Sequence, residues 1–262
     1  MKKITILISA FMLLFFFVGC QSQEMDFDIE NAYIVEQSGK VKLAAHVEGK
    51  VFLLAGDNTE ESGQMATRHL AIVIGDRKIV KALTESYDGD ITLSDFDGDE
   101  DMEIAVQETV GITGGYGSYL SRVFDFKNGE LIELFSSQTE EGERMDTGFS
   151  ITLLKNKEFE IRNAFTNYSE VFRREGEPEE YFEFWYDEKG EPRFETLLVD
   201  SFYEFVSEDV DGDGVSEIKG KQYTSLIGHA DGIGIANTVL KYNKEKACFE
   251  VVSAYFSKES EQ

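Results

Sequence analysis

Two short segments hold more carboxylates than a solvated turn requires. Asp95, Asp97, Asp99, Asp101 and Glu103 occupy positions 1, 3, 5, 7 and 9 of one nine-residue stretch. Asp209, Asp211, Asp213, Val215 and Glu217 occupy the same positions of another. Carboxylates at the odd positions of a tightly turned backbone can point several oxygens at one hard cation, with position 7 donating its backbone carbonyl. Val215 fits that detail, since it has only its carbonyl to offer; by the same logic the Asp101 side chain is spare. Gly98, Gly212 and Gly214 permit the sharp turn. Without a cation, carboxylates this close repel one another and hold their protons more tightly. The all-oxygen set predicts one Ca²⁺ per loop, ahead of magnesium, which keeps water, or zinc, which favours nitrogen and sulfur. An EF-hand would place a bidentate Glu at position 12, where this chain has Val106 and Gly220, so these are not EF-hands.

Such loops need rigid flanks, and the sequence supplies short alternating segments. Phe159, Ile161, Asn163 and Phe165 alternate with Glu160, Arg162 and Ala164, while Phe182, Phe184 and Tyr186 alternate within Tyr181–Asp187. Turn signals separate the segments: Gly75-Asp76, Lys189-Gly190 and above all Asn128-Gly129, whose residues both tolerate the positive φ of a type I′ turn. Residues 57–67 and 166–180 read as long loops or short helices. Turns every 8–12 residues without helical periodicity predict an all-β fold. The acidic loops recur 114 residues apart, and Glu103-Ile104 recurs as Glu217-Ile218 at the same offset. A Gly-rich loop follows in each copy, Gly111–Gly117 and Ile227–Gly234, and then a hairpin. Each half therefore predicts about eight strands, with boundaries at 40–138 and 139–258. Antiparallel hairpin repeats form either a propeller-like ring of about four four-stranded sheets or two packed β-domains.

The pattern Asp-x-Asp-Gly-Asp-x-x-x-Glu-Ile between strands resembles the FG-GAP and VCBS repeat family, including the calcium loops of integrin-type propellers. The resemblance covers 87–135 and 202–256. Glu stands at the ninth position where that family usually has Asp, and its Phe-Gly and Gly-Ala-Pro signatures are not evident. The resemblance implies a β-propeller blade arrangement and calcium at both loops.

The amino terminus carries a second resemblance. Lys2 and Lys3 precede a largely apolar run from Ile4 to Val18, too short to span a bilayer but suited to a secretory signal. Phe17-Val18-Gly19-Cys20 resembles the lipobox of bacterial lipoproteins, which implies removal of residues 1–19 and lipidation (palmitate) of Cys20, with 20–39 as a tether. That places the chain in the cell envelope, outside the cytoplasm and held to the membrane by lipid. Cys248 is then the one cysteine of the folded part and reads as a small buried hydrophobe.

Composition narrows the partners. With 25 Lys plus Arg against 51 Asp plus Glu, the net charge is −26, which argues against nucleic acid and against polybasic membrane attachment. His46, His69 and His229 fall in no metal or triad spacing, and no catalytic residue is singled out. The equivalent Gly-rich loops, through Gly114 and Tyr116 and through His229 and Asp231, are candidates for ligand contact. The expected function is a calcium-stabilised, membrane-anchored scaffold that binds an extracellular protein or glycan. The alternatives are an envelope carbohydrate-active hydrolase using a carboxylate pair and a purely structural envelope protein.

Overall fold

The computed structural model describes residues 32–56, 64–111, 118–139, 142–173, 179–193, 198–226 and 232–258. Cys20 and the segment before it lie outside these residues, as do Gly114, Tyr116, His229 and Asp231. The protein is all-β, built of four antiparallel sheets whose strands follow one another in chain order, and none closes into a barrel. Sheet I contains β1 (Tyr33–Ala44), β2 (Val47–Ala55), β3 (Ala66–Ile74) and β4 (Arg77–Ser86). Sheet II contains β5 (Asp88–Ser94), β6 (Glu103–Gly111), β7 (Ser118–Lys127) and β8 (Glu130–Ser136). Sheet III contains β9 (Phe149–Leu154), β10 (Glu158–Asn163) and β11 (Tyr168–Arg173). Sheet IV contains β12 (Leu198–Glu208), β13 (Glu217–Ser225), β14 (Gly232–Asn243) and β15 (Cys248–Lys258).

Local chemistry explains most of the connections. Asn128 and Gly129 both adopt positive φ, 55° and 88°, and join β7 to β8 as the type I′ turn their sequence predicts. β1 begins at Tyr33, inside the segment expected to be a tether, because Val35 and Val41 pack against the core of sheets I and II. The segment Tyr181–Asp187 is not a strand. Glu179–Glu183 forms a short helix, α1, and Phe182, Trp185 and Tyr186 are buried while Phe184 is 55% exposed. That i, i+3, i+4 burial is the helical spacing, and Trp185 supplies the apolar contact the alternating reading omitted. The second half accordingly has seven strands among the described residues, and sheet III has three rather than four. Within 166–180, Tyr168–Arg173 is a strand rather than loop, and Phe165 lies past the end of β10, half exposed. Cys248 opens β15 and is only partly buried, being next to an exposed turn.

Three apolar clusters hold the sheets together. Leu53, Leu70 and Ile72 of sheet I meet Ile104, Val106 and Phe124 of sheet II. Phe96, Val123 and Phe135 of sheet II meet Phe202, Phe205, Ile218 and Leu240 of sheet IV. Ile151, Phe159 and Phe172 of sheet III meet Leu226, Ile233 and Phe256 of sheet IV, with Phe172 stacked between Phe159 and Phe256 at 5.4 Å on each side. Sheet IV thus packs one end of its strands on sheet II and the other on sheet III.

This arrangement positions the acidic loops unequally. Side chains alternate along a strand, so Phe124 and Phe126 of β7 face sheet I while Val123, Asp125 and Lys127 face sheet IV. In sheet IV, Ile218 and Leu240 face sheet II, and Glu217, Val239 and Lys241 point the other way. The first loop is covered by a neighbouring sheet; the second faces outward.

Candidate metal centre

Both loops are built on one hydrogen-bonding plan. The position-1 carboxylate caps the turn: Asp95 Oδ1 accepts from Gly98 N–H at 2.5 Å and Oδ2 from Glu100 N–H at 2.9 Å. Asp209 Oδ1 accepts from Gly212 N–H at 2.7 Å and Oδ2 from Gly214 N–H at 3.0 Å. Position 5 accepts from the position-7 N–H, Asp99 from Asp101 at 2.9 Å and Asp213 from Val215 at 2.8 Å. The position-9 Glu reaches back across the loop: Glu103 Oε2 accepts from Phe96 N–H at 2.7 Å, and Glu217 Oε2 from Val210 N–H at 2.9 Å. The same four links in two distant segments show that the repeat extends to the conformation of the turn.

The carboxylates converge in three sets whose oxygens lie within 4.8 Å of one another: Asp95 with Asp97 and Asp99, Asp97 with Glu103 and Asp125, and Asp209 with Asp211 and Glu217. Of the expected ligands, Asp101 turns away and pairs with Lys42 of sheet I at 2.7 Å, in keeping with a spare side chain. Asp213 falls outside its set and pairs with Lys241 at 2.8 Å. Asp125, Lys127 and Lys241 were not singled out by the loop pattern. Lys127 and Lys241 are separated by the same 114 residues as the loops, and that offset is the sequence signal for them.

Burial sets the electrostatics of the first loop. Asp97, Glu103 and Asp125 are 8%, 1% and 3% exposed. Burial, followed by the neighbouring Asp97 and Asp125 charges, pushes the Glu103 carboxyl up to about 8, against the opposing hydrogen bond from Phe96 N–H. Burial and then Asp99 also raise Asp97. Lys127 forms a close ion pair with Asp125 and a longer one, 3.4 Å, with Asp97; its pKa is raised, chiefly by the Asp125 hydrogen bond. In the second loop Lys241 Nζ lies 2.7 Å from Asp211, 2.8 Å from Asp213 and 2.7 Å from Glu217, and those bonds hold its proton more firmly. Lys241 in turn lowers Asp213.

The two loops touch. Ser216 N–H donates to the Asp95 carbonyl at 2.8 Å, and the Ser94 hydroxyl bonds those of Ser216 and Ser207 at 2.6 Å each. A Cβ on Gly98 would lie 2.7 Å from Val215 Cγ2, so position 7 of one loop rests on position 4 of the other. β6 leads from the first acidic loop to Gly111, and β13 from the second to Ser225.

A hollow of about 780 Å³ beside α1 is lined by Lys155, Lys157, Phe182, Glu183, Asp187 and Glu191 among others. Two of its carboxylates have structural partners: Asp187 accepts the N–H groups of Lys189 and Glu191 across the turn, and Glu191 pairs with Lys155 at 2.5 Å. Among the described residues no helix is long and apolar enough to cross a membrane.

Residues 147–257 match the family model described as the YybI C-terminal domain, a span that takes in sheets III and IV and the second acidic loop. Comparison with curated proteins and with solved structures returns no match.

Proposed function

We propose that this chain is an extracytoplasmic lipoprotein, anchored through Cys20, whose β scaffold is stabilised by calcium in the acidic loops and binds an extracellular protein or glycan. The observation that carries the reading is the pair of turns that share four hydrogen-bonding links, each converging carboxylate oxygens within 4.8 Å. The donor set fits a hard cation: it is all oxygen, and in the first loop Asp97 Oδ1 is buried without a hydrogen-bond partner. Asp95, Asp97, Asp99 and Glu103 would hold one Ca²⁺, and Asp209, Asp211, Asp213 and Glu217 the other, with the carbonyls of Asp101 and Val215 completing the sets. Calcium there supplies charge neutralisation, letting the turns keep their shape with every carboxylate ionised. Because the loops also bond to each other, that stabilisation extends across the contact of sheets II and IV. Gly114, Tyr116, His229 and Asp231 of the two Gly-rich segments are the proposed ligand contacts.

Two measurements test the reading. Calorimetric titration should find at least one Ca²⁺ bound per chain at millimolar concentration; less than one means the loops are merely acidic turns. Metabolic labelling with palmitate should be lost in Cys20→Ser together with membrane retention, and unchanged labelling refutes the anchor.

A further inference from the structure

We infer that the two loops are unequal cation sites: the first, completed by Asp125, takes the divalent cation, and the second is occupied from within by the Lys241 ammonium. This rests on the calcium reading above and assigns its two sites different roles. Lys127 and Lys241 occupy the same position after their loops, yet their ammonium groups sit differently. Lys241 touches Asp211, Asp213 and Glu217, all within 2.8 Å. Lys127 is drawn to Asp125 and reaches only Asp97 among the loop carboxylates, at 3.4 Å. The cause is one residue. The position of Asp125 is taken in the second half by Val239, which offers no competing carboxylate, so Lys241 swings into the loop.

The consequence for a cation follows from what each loop leaves unpaired. At the first loop the buried Asp97 Oδ1 has no hydrogen-bond partner, and Asp97, Glu103 and Asp125 converge with their oxygens within 4.8 Å of one another. Asp97 is desolvated already and its Oδ1 has gained no partner in exchange, so an arriving divalent cation meets a bare oxygen there. At the second loop the cation must first displace an ammonium from two charge-assisted hydrogen bonds, to Asp211 and Asp213, and from its ion pair with Glu217. The Asp211 and Asp213 side chains are also 55% and 46% exposed, so water competes for them as well. Lys241 is therefore a specificity-determining residue. It makes the second turn less dependent on metal, and the first turn carries most of the calcium response.

The test is calorimetric titration of the detergent-solubilised full chain with CaCl₂ after chelator treatment. The expected result is one tight site and a second at least about tenfold weaker, the scale on which groups around a metal site shift its affinity. Lys241→Met should strengthen the weak site by about tenfold, Lys241→Arg should not, and Asp125→Asn should weaken the tight site by about tenfold. Two equal sites in the parent protein, or an unchanged second site in Lys241→Met, overturn the inference while leaving the calcium reading intact. Absence of calcium binding in every variant overturns both. Should Lys241→Met fail to fold, Asp213→Asn decides: the tight site must survive it, and its loss refutes the assignment.

Discussion

The two acidic loops share their turn and differ in their surroundings. Each is shaped by the position-1 Asp and the position-9 Glu, which accept backbone N–H groups in equivalent places. That part is local, and a nine-residue stretch specifies it. What lies around the turn is set by which face of the sheet a neighbour covers. Glu103 and Glu217 are both buried, 1% exposed each, but the loop face of sheet II lies toward sheet IV, so Asp97 and Asp125 are buried, whereas the equivalent face of sheet IV leaves Asp211 wet. A duplicated sequence thus yields one conformation and two electrostatic environments.

The largest expected effect separates the loops by their contact. Gly98 and Gly212 both occupy positive φ, 69° and 77°, where a side chain costs about 1–2 kcal/mol. A Cβ at 98 would also meet Val215, whereas a Cβ at 212 meets nothing within 4 Å. Overpacking adds about 1–3 kcal/mol, while alanine recovers about 0.5–1 kcal/mol by restricting the unfolded chain, so Gly98→Ala should lose roughly 1.5–4 kcal/mol by urea denaturation and Gly212→Ala about 0.5–1. Equal losses would mean that the loops do not rest on each other.

Calcium dependence comes next. With dissociation constants of about 10⁻⁴–10⁻³ M, calcium at about 2 mM stabilises by roughly 0.6–1.8 kcal/mol per occupied site. For a chain of this size that raises the melting temperature by a few degrees. Asp97→Asn should abolish most of the shift and Asp211→Asn little of it. Scanning calorimetry with calcium and with chelator measures both, and the reverse pattern would break the proposed asymmetry.

The sequence made the all-β class and the positions of the turn carboxylates legible because both rest on short-range patterns: residue alternation, turn pairs and odd-position Asp. Two further features rested on spatial neighbours. Asp125 lies on a different strand from the loop it approaches, so loop spacing alone does not mark it. Phe182 and Tyr186 fit an alternating strand until Trp185 is counted, and packing into the apolar cluster shared by sheets III and IV rather than strand pairing decides the helix. The 114-residue offset held for Lys127 and Lys241 too, a signal the acidic pattern had overshadowed.

A pH experiment probes the same contrast through protonation of the buried Glu103 carboxyl. The Glu103 carboxyl titrates at about 8 in the folded, cation-free chain and near 4.5 when unfolded. Below about 4.5 it is protonated in both states and contributes nothing. As pH rises from about 4.5 toward 8 the unfolded chain releases this proton first, so stability falls through that window. In chelator, the melting temperature should therefore decline more steeply with pH than in Glu103→Gln, and calcium should flatten the slope by keeping the carboxylate ionised. A parent and variant with parallel pH profiles would show that Glu103 ionises freely.

The smallest effect concerns position 6, where the first loop has Glu100 at φ 68° and the second has Gly214 at φ 89°. The turn demands a left-handed residue there, and only the second loop provides the residue suited to it. Relief of left-handed strain is worth about 1–2 kcal/mol, but glycine gives back about 0.5–1 kcal/mol through the freedom it adds to the unfolded chain. Glu100→Gly should thus stabilise the protein by roughly 0.5–1 kcal/mol. The backbone bond from Lys42 Nζ to the Glu100 carbonyl, 3.1 Å, does not depend on the side chain and is retained. Removing one negative charge beside Asp99 and Asp101 acts in the same direction. Glu100 is exposed and lies outside every converging carboxylate set, so calcium affinity should not change. A higher urea midpoint with unaltered calcium titration is the expected pair of results. A lower midpoint, or weakened calcium binding, would show that Glu100 contributes to the first site in a way that its position in the turn does not account for.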